Sequence, residues 1–261
     1  KAEGFDILAA RHGAIQAATS VMVGHPSAFS ELQLATGIDV FPHALALVPG
    51  GFKRFDVDIP DVQDVTAATT GTRYFAGNSV VVNVDADGLA SGVTVGSTEV
   101  TIIYRGTEIV VPIRVDVPTP NEAVIGQEGG AISASDGAVI TIPPNSIEGT
   151  QTVSFTRVAE ADLPKVMPPN WGYLGAYDLQ LAGDALTTPA QLAIPVPDSV
   201  PIGKQLYLLR YGDIPDEQGN LQPIWWQDEI ATVGPDHIAR TSSPPYSGIR
   251  HLGVFALADP P

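Results

Sequence analysis

The sequence predicts an all-β protein, on two observations about how its residues are distributed. The 26 glycines and 23 prolines are scattered between short apolar runs rather than gathered in one linker. After residue 37, few stretches long enough for a helix, ~10 residues or more, lack both residue types. Within the runs, apolar residues alternate with polar ones, as in strands that have one buried face and one face in water.

Residues 1–37 show the least regular pattern. FDILAARHGAIQAATSVMVG predicts short strands around a His-Gly turn, as at the end of a preceding β module, or else a linker. A helical turn from Ser27 to Ala35 is an alternative.

Residues 38–117 predict a first complete domain. In FKRFDVDIP, apolar residues at every second or third position alternate with charged ones, which indicates a half-buried strand. Further on, the pattern predicts a tight Asp-Gly turn and a hairpin through Arg105-Gly106. Pro112 suggests that the last strand lies at a sheet edge, because proline cannot donate a ladder hydrogen bond.

One stretch of this block resembles a known module. Residues 82–102 read V-x-V-D-x-x-G-L-x-x-G-V-x-x-G-x-x-x-V-T-I, with glycines at positions 88, 92 and 96. This order resembles the bacterial immunoglobulin-like group 2 module, which is common in adhesins and other surface proteins. The resemblance implies an immunoglobulin-like β-sandwich over residues 38–117.

A second block follows the proline-containing segment VPTPNE, residues 117–122, which we interpret as a linker. GQEGGAISASDGAVITIPPNSIEGTQTVSFTRV, GYLGAYDLQLAGDALTTPAQLAIPVPDSV and the C-terminal GIRHLGVFALA resemble the ZU-type β-sandwich of ankyrins, netrin receptors and bacterial surface proteins. The resemblance covers residues 123–258 and implies a ZU-type domain over residues 118–261. The block is also similar to sandwich modules that precede the shell of bacterial Rhs/YD-repeat proteins.

Composition excludes several classes of protein. The net charge of -16 disfavours nucleic-acid binding, because an acidic surface repels phosphates. The absence of cysteine excludes disulfides and thiolate metal sites. No apolar run is long enough to insert into a membrane, and KAEGFDILAA lacks the layout of a signal peptide, so we expect an internal piece of a longer chain.

Two acidic segments raise the question of a metal. VDADG resembles the start of a calcium loop, but the glutamate that such a loop needs at its twelfth position is missing. Asp85 and Asp87 are therefore predicted to form a turn, with calcium as the alternative. In DVDIPDVQD, Asp56 and Asp58 are predicted to be a solvated charge row that discourages edge pairing. The five histidines lack metal-site spacing, and we expect no cofactor.

No catalytic residue is predicted. The chain has no G-x-S-x-G elbow, P-loop or G-x-G-x-x-G motif. Some proteins similar to the ZU-type family cleave themselves at a His-Phe-Ser or His-Phe-Thr triplet. The matching residues here are His251, Leu252 and Gly253, and glycine has no nucleophile, so self-cleavage is not expected.

Aromatic residues of the second block are the candidates for binding a ligand or partner: Trp171, Tyr173, Trp225, Trp226 and Tyr246. Their rings lie near carboxylates such as Asp228 and Glu229 in sequence, a combination that suits sugar stacking or partner docking. Because neighbouring strand residues face opposite sides, the alternative is that one of the adjacent tryptophans lies in the core and the other covers a loop.

These patterns together predict a non-catalytic region that serves as spacer, docking surface or shell in a large secreted or cell-surface bacterial protein. Its expected partners are other domains of the same polypeptide, or protein or glycan at a cell surface. The alternatives are a carbohydrate- or host-surface-binding adhesin module and an accessory N-terminal region of an Rhs-like toxin.

Overall fold

The computed structural model describes residues 4–24, 37–60, 63–183, 185–241 and 248–261. Over these residues the all-β prediction is confirmed, with strands joined by turns and two short 3-10 segments, Ala68–Thr70 and Glu160–Asp162. The chain divides into two compact units, Lys1–Val117 and Pro118–Pro261. No described helix has the length and apolar character needed to cross a membrane. The predicted helical alternative from Ser27 to Ala35 lies outside the described residues.

Over its described residues the first unit has four small sheets, with strand orders β1-β2, β3-β6-β7, β5-β10-β9 and β4-β12-β11-β8. Its strands are β1 (Gly4–His12), β2 (Ile15–Val23), β3 (Asp39–Phe41), β4 (Leu45–Leu47), β5 (Phe52–Arg54), β6 (Asp56–Ile59), β7 (Gln63–Asp64), β8 (Arg73–Ala76), β9 (Val82–Val84), β10 (Leu89–Gly92), β11 (Gly96–Tyr104) and β12 (Thr107–Val115). Inward residues of these strands form one core that includes Val40, Leu45, Phe55, Val57, Val82, Ile102 and Ile113.

Both predicted hairpins of this unit are present. β1 and β2 pair along their whole length around the His-Gly turn. The β11–β12 turn has φ of 44° at Arg105 and 85° at Gly106, the left-handed pair that a two-residue hairpin requires. The Phe5 ring lies directly over this turn, since a Cβ built on Gly106 would be 2.4 Å from it. Glycine at this position therefore permits both the turn and its contact with the first hairpin.

The β1–β2 hairpin is bound to the rest of the first unit through β2. The Gln16 amide donates to the Gly77 carbonyl at 2.9 Å. The Ser20 amide donates to the Glu108 carboxylate at 3.0 Å, and its hydroxyl donates to the Gly106 carbonyl at 2.8 Å. The hairpin is thus anchored along the outward edge of its second strand.

The edge position predicted for the Pro112 strand is wrong. β12 has β11 on one side and β4 on the other. The pairing with β4 begins only at Ile113, one residue after the proline. The missing N–H of Pro112 is therefore tolerated, because Pro112 lies before the residues of β12 that pair with β4.

The strands that the structure describes in the second unit form one twelve-stranded sheet. Its strands are β13 (Thr119–Pro120), β14 (Glu122–Ile125), β15 (Gly130–Ser133), β16 (Val139–Ile142), β17 (Gln151–Val158), β18 (Gly172–Gln180), β19 (Ala185–Pro195), β20 (Gln205–Pro215), β21 (Leu221–Val233), β22 (Ile238–Thr241), β23 (Ile249–His251) and β24 (Gly253–Asp259). Their order is β13-β15-β16-β19-β22-β21-β20-β24-β18-β17-β14, with β23 paired to β19.

This sheet nearly closes on itself through Asn121. β13 and β14 lie at opposite ends of the strand order, yet only Asn121 separates them in the chain. The Asn121 amide donates to the Ser133 carbonyl on β15, and the Phe155 amide on β17 donates to the Asn121 carbonyl, both at 2.8 Å. The structure therefore differs from a sandwich of two separate sheets, and the segment predicted as a linker, residues 117–122, contributes strands to this unit.

The interior of the second unit is apolar and aromatic. Phe155 and Tyr177 stack at its centre, with ring centroids 5.1 Å apart. The Tyr177 hydroxyl donates to the Asp136 carboxylate at 2.8 Å, and burial followed by this carboxylate raises the pKa of Tyr177. The hydroxyl is therefore held protonated as a donor while its ring stays in the core.

Candidate functional site

A two-stranded ribbon extends from the sheet of the second unit. β20 and β21 pair from Gln205–Thr232 out to Pro215–Leu221. β20 also pairs with β24, but only over Tyr207–Arg210, and β21 pairs with β22 only over Ala231–Val233. In the part of the chain that the structure describes, residues 211–215 therefore pair only with β21, and residues 221–227 pair only with β20. We call residues 211–227 the ribbon.

The turn of the ribbon is built by Asp216. One oxygen of its carboxylate accepts the amides of Gln218 and Asn220, at 3.0 and 2.8 Å. These bonds, led by the one from Asn220, hold the pKa of Asp216 below its ordinary value. The Asp216 amide in turn donates to the Asn220 carbonyl at 2.8 Å. The turn thus closes the ribbon with an ionised side chain.

Prolines protect the outer edges of the ribbon. Because Asp216 and Asn220 are a hydrogen-bonded pair, the next pair along the ribbon, Pro215 and Leu221, is of the non-hydrogen-bonded kind. By the same alternation Pro223 has its nitrogen on the outer edge. A strand added from outside would find no donor at either proline, so the ribbon is guarded against edge-to-edge aggregation.

Trp225 lies on one face of the ribbon. Its ring meets that of Tyr211 edge-on, with centroids 5.4 Å apart. Its indole N–H donates to the Lys165 carbonyl at 2.9 Å, and the Lys165 ammonium donates to the Pro223 carbonyl, also at 2.9 Å. Lys165, in the loop before β18, therefore binds the ribbon through two hydrogen bonds and fixes the position of the Trp225 ring.

Trp226 contacts a different group. The guanidinium of Arg210 lies 4.6 Å from its ring centroid, a cation–π contact. Both tryptophans are partly buried, and neither belongs to the hydrophobic core. The prediction that one of them lies in the core is wrong, because both residues lie where β20 and β21 extend beyond the rest of the sheet.

The remaining predicted aromatics lie near the base of the ribbon or outside the described residues. Trp171 packs against Tyr207 with ring centroids 5.6 Å apart. Tyr173 is half-buried on β18, and its hydroxyl donates to the Val158 carbonyl at 3.2 Å. Ala258 is paired with both Tyr173 and Tyr207, so these two rings share one row across three strands. Tyr246 lies outside the described residues.

Sequence reasoning missed Tyr207 and Tyr211, which complete this aromatic face. They stand four residues apart in β20, so their side chains leave the same side of the strand. The stretch YLLRY shows this spacing. The rings that the two tyrosines contact, Trp171 and Trp225, lie far from them in sequence, so the spacing alone does not indicate an aromatic face.

A β-bulge separates the two carboxylates that follow the tryptophans. Leu208 pairs with Glu229 and Leu209 pairs with Gln227, so Asp228 has no partner across the ladder. Asp228 Oδ1 lies 3.6 Å from Arg210 Nε and 3.7 Å from His251 Nδ1. Burial raises the pKa of Asp228, and Arg210 and His251 oppose that rise.

Glu229 is unsuited to the ligand contact considered from sequence. It is 0 % exposed. Its carboxylate accepts the Ile230 amide at 2.7 Å and also the Gly248 amide. The side chain therefore has a structural role inside the sheet, since a ligand at the surface has no access to it.

No family model matches the chain, and no curated protein matches it. The immunoglobulin-like and ZU-type resemblances therefore rest on sequence pattern alone. What the site can do follows from its own side chains.

The first unit holds a separate carboxylate cluster. Asp56, Asp58 and Asp64 each place an oxygen within 4.8 Å of the others, as a cation site requires. The predicted edge role is wrong, because β6 lies between β3 and β7 and is a central strand. Asp58 is paired with Asp39 on one side and Asp64 on the other. Burial and then Asp64 raise the pKa of Asp58. Asp61 lies outside the described residues.

Asp85 and Asp87 are used in a turn, as predicted. The Asp85 carboxylate accepts the amides of Asp87 and Leu89, at 2.9 and 2.8 Å. Asp87 accepts the Ala68 amide at 3.0 Å. Gly88, with φ of 81°, supplies the left-handed residue of the turn. Calcium at this turn stays a prediction.

Asp58→Asn is expected to stabilise the first unit at neutral pH by ~0.5 kcal/mol, because it removes a like charge opposite Asp39 and Asp64. A carboxyl whose folded pKa is raised above its unfolded value costs stability once it ionises, so the loss appears as pH rises through the folded pKa. Denaturant unfolding between pH ~4 and ~7 should therefore show a flatter pH dependence in the variant. An equally steep dependence would show that the carboxylates do not interact.

Proposed function

We propose that this chain is a non-catalytic structural and interaction region of a large secreted or cell-surface bacterial protein. Its two β units connect neighbouring parts of the polypeptide, and the ribbon is its docking surface. The observation that supports this function best is the ribbon itself, which carries aromatic and apolar side chains away from a closed hydrophobic core.

Exposed apolar side chains on the ribbon support a docking role. Leu221 is 64 % exposed and Ile224 is 36 % exposed. The partly exposed rings of Tyr211 and Trp225 share the face of Leu221, and Ile224 lies on the opposite face of the ribbon. Tyrosine and tryptophan are the residue types that most often dominate binding energy, and apolar patches with a polar rim commonly mark interaction sites.

The ribbon is also pre-organised for binding. The hydrogen bonds of Asp216 fix the conformation of its turn, and the two hydrogen bonds of Lys165 hold Pro223 and Trp225 in place. A surface that is already ordered loses less conformational entropy when a partner binds. Its edge prolines each remove an outward donor and so disfavour pairing with an added strand, which leaves recognition mainly to side chains.

A carbohydrate-binding adhesin module is the second candidate. The row formed by Tyr173 and Tyr207, with Trp171 packed on Tyr207, places three rings on one face at the base of the ribbon. Aromatic rings of this kind stack on the apolar faces of sugars. In this case the base of the ribbon, rather than its tip, would contact the ligand.

The docking role is tested by binding of the immobilised chain to bacterial cell-envelope extracts. The Leu221→Ser/Ile224→Ser variant should lose binding that the native chain shows. The matched controls are Val110→Ser, at a site 47 % exposed, and Val124→Ser, at a site 71 % exposed, which should bind normally. Loss of binding after trypsin treatment of the extract supports a protein partner. Loss after periodate treatment supports the carbohydrate alternative, and equal binding by all variants contradicts a role for the ribbon.

A further inference from the structure

We propose that the occupant of the ribbon is an extended polypeptide segment of the pattern apolar–x–Lys/Arg–x–apolar. This inference rests on the proposed docking function and names the chemistry of its partner. It follows from the arrangement of side chains on one face of the ribbon and from the cations that already bind there.

One face of the ribbon has a carboxylate between two apolar pairs. Cross-strand neighbours share a face, so Pro215 lies beside Leu221, Asp213 beside Pro223, and Tyr211 beside Trp225. The side chains of Leu221, Pro223 and Trp225 are therefore two residues apart on the same side of β21. Asp213 is exposed at the middle of this strip.

An extended peptide has a matching repeat. Alternate side chains of a strand leave the same face ~6.6 Å apart, which is the spacing along the strip. Two apolar side chains of such a peptide can rest on the Leu221 and Trp225 ends while the side chain between them reaches Asp213. A cation at that middle position meets a carboxylate, and an anion there meets repulsion.

The charge of the surroundings also favours a cationic partner. Residues 211–227 include Asp213, Asp216 and Glu217 and contain no lysine or arginine. The whole chain has a net charge of -16. A field of this sign accelerates the approach of basic segments and slows that of acidic ones.

Cations of the chain itself show which groups the ribbon offers. The Arg210 guanidinium stacks on the Trp226 ring at 4.6 Å. The Lys165 ammonium binds the outward carbonyl of Pro223 at 2.9 Å. An indole face and an outward backbone oxygen thus already bind basic side chains, and a basic partner would add an ion pair with Asp213.

The proposal is tested with two labelled probe peptides, Thr-Leu-Thr-Arg-Thr-Leu-Thr and the same peptide with Glu in place of Arg. Binding is followed by peptide anisotropy and by the fluorescence of the chain, whose three tryptophans lie on the ribbon or pack at its base. The basic peptide should bind ~5-fold more tightly than the acidic one, as expected for one exposed ion pair. Asp213→Asn should abolish this difference, and Asp213→Arg should reverse it.

Asp198→Arg is the control, because Asp198 is an exposed carboxylate of the same unit outside the ribbon. It should leave the preference for the basic peptide unchanged. Equal binding of both peptides, or a preference that survives Asp213→Arg, overturns the proposal. If envelope binding still depends on Leu221 and Ile224 in that case, the docking function stands and only the partner class is wrong. If neither probe nor extract binds, both proposals fail.

Discussion

Replacement of Asn121 by proline is expected to destabilise the second unit by ~3 kcal/mol or more. Asn121 has φ of 60°, whereas proline is fixed at a negative φ. Proline also lacks the N–H that binds the Ser133 carbonyl. Both effects open the sheet where its two ends meet. Denaturant unfolding followed by tryptophan fluorescence measures this unit selectively, because all three tryptophans lie in it.

Asn121→Gly is the matched control. Glycine adopts positive φ without strain and keeps both backbone hydrogen bonds, so the free energy of unfolding should change by less than ~1 kcal/mol. If proline and glycine have the same small effect, the contacts of Asn121 do not close the sheet. If glycine is as damaging as proline, the asparagine side chain rather than the backbone is what matters.

Glu229→Ala is expected to cost the second unit ~2–6 kcal/mol, because each of the two amide donors left without its acceptor costs ~1–3 kcal/mol. The carboxylate accepts the amides of Ile230 and Gly248 and is fully buried. Gly248 leads into β23, so loss of this acceptor should also loosen that strand where it pairs with β19.

Glu229→Gln provides the comparison, since it keeps the shape and one acceptor oxygen. An intermediate loss of stability is expected, because the amide group presents hydrogens to one of the two backbone donors. Hydrogen exchange at Ile249 should accelerate in the alanine variant more than in the glutamine variant. Native stability of the alanine variant would show that Glu229 is not the acceptor that holds the strand.

Local sequence patterns predicted the strands and turns well, because each depends on residues close in the chain. The Arg105-Gly106 hairpin, the His-Gly hairpin and the Asp85 turn need only positive φ or a short side chain at a fixed offset. Alternation likewise placed Phe55 and Val57 in a core. These features are confirmed.

Features that depend on distant residues were not predictable in the same way. The closure at Asn121 joins β15 to β17, and nothing near Asn121 in sequence indicates it. The carboxylates of Asp56 and Asp58 were expected on an edge, but β7 covers the second side of their strand. Glu229 resembles any surface glutamate in sequence, and only the bulge at Asp228 and the Gly248 amide reveal its burial.

The candidate site was predicted in its residue types but not in its shape. Trp225 and Trp226 stood out because adjacent tryptophans beside proline are unusual. Their surroundings depend on how far β20 and β21 continue after β24 and β22 stop pairing with them. How far two strands extend beyond a sheet depends on where their pairing with neighbouring strands ends. The alternation of residues within one strand does not indicate this point.

The most direct test of the docking role is to remove the ribbon tip. Gly212 and Ile224 are paired and, by the alternation set at Asp216, hydrogen-bonded, so an Asn-Gly turn can replace residues 213–223 between them. We predict that the shortened chain unfolds at the same denaturant concentration as the native chain and loses envelope binding by at least ~10-fold. Full retention of binding by the folded, shortened chain would contradict the account.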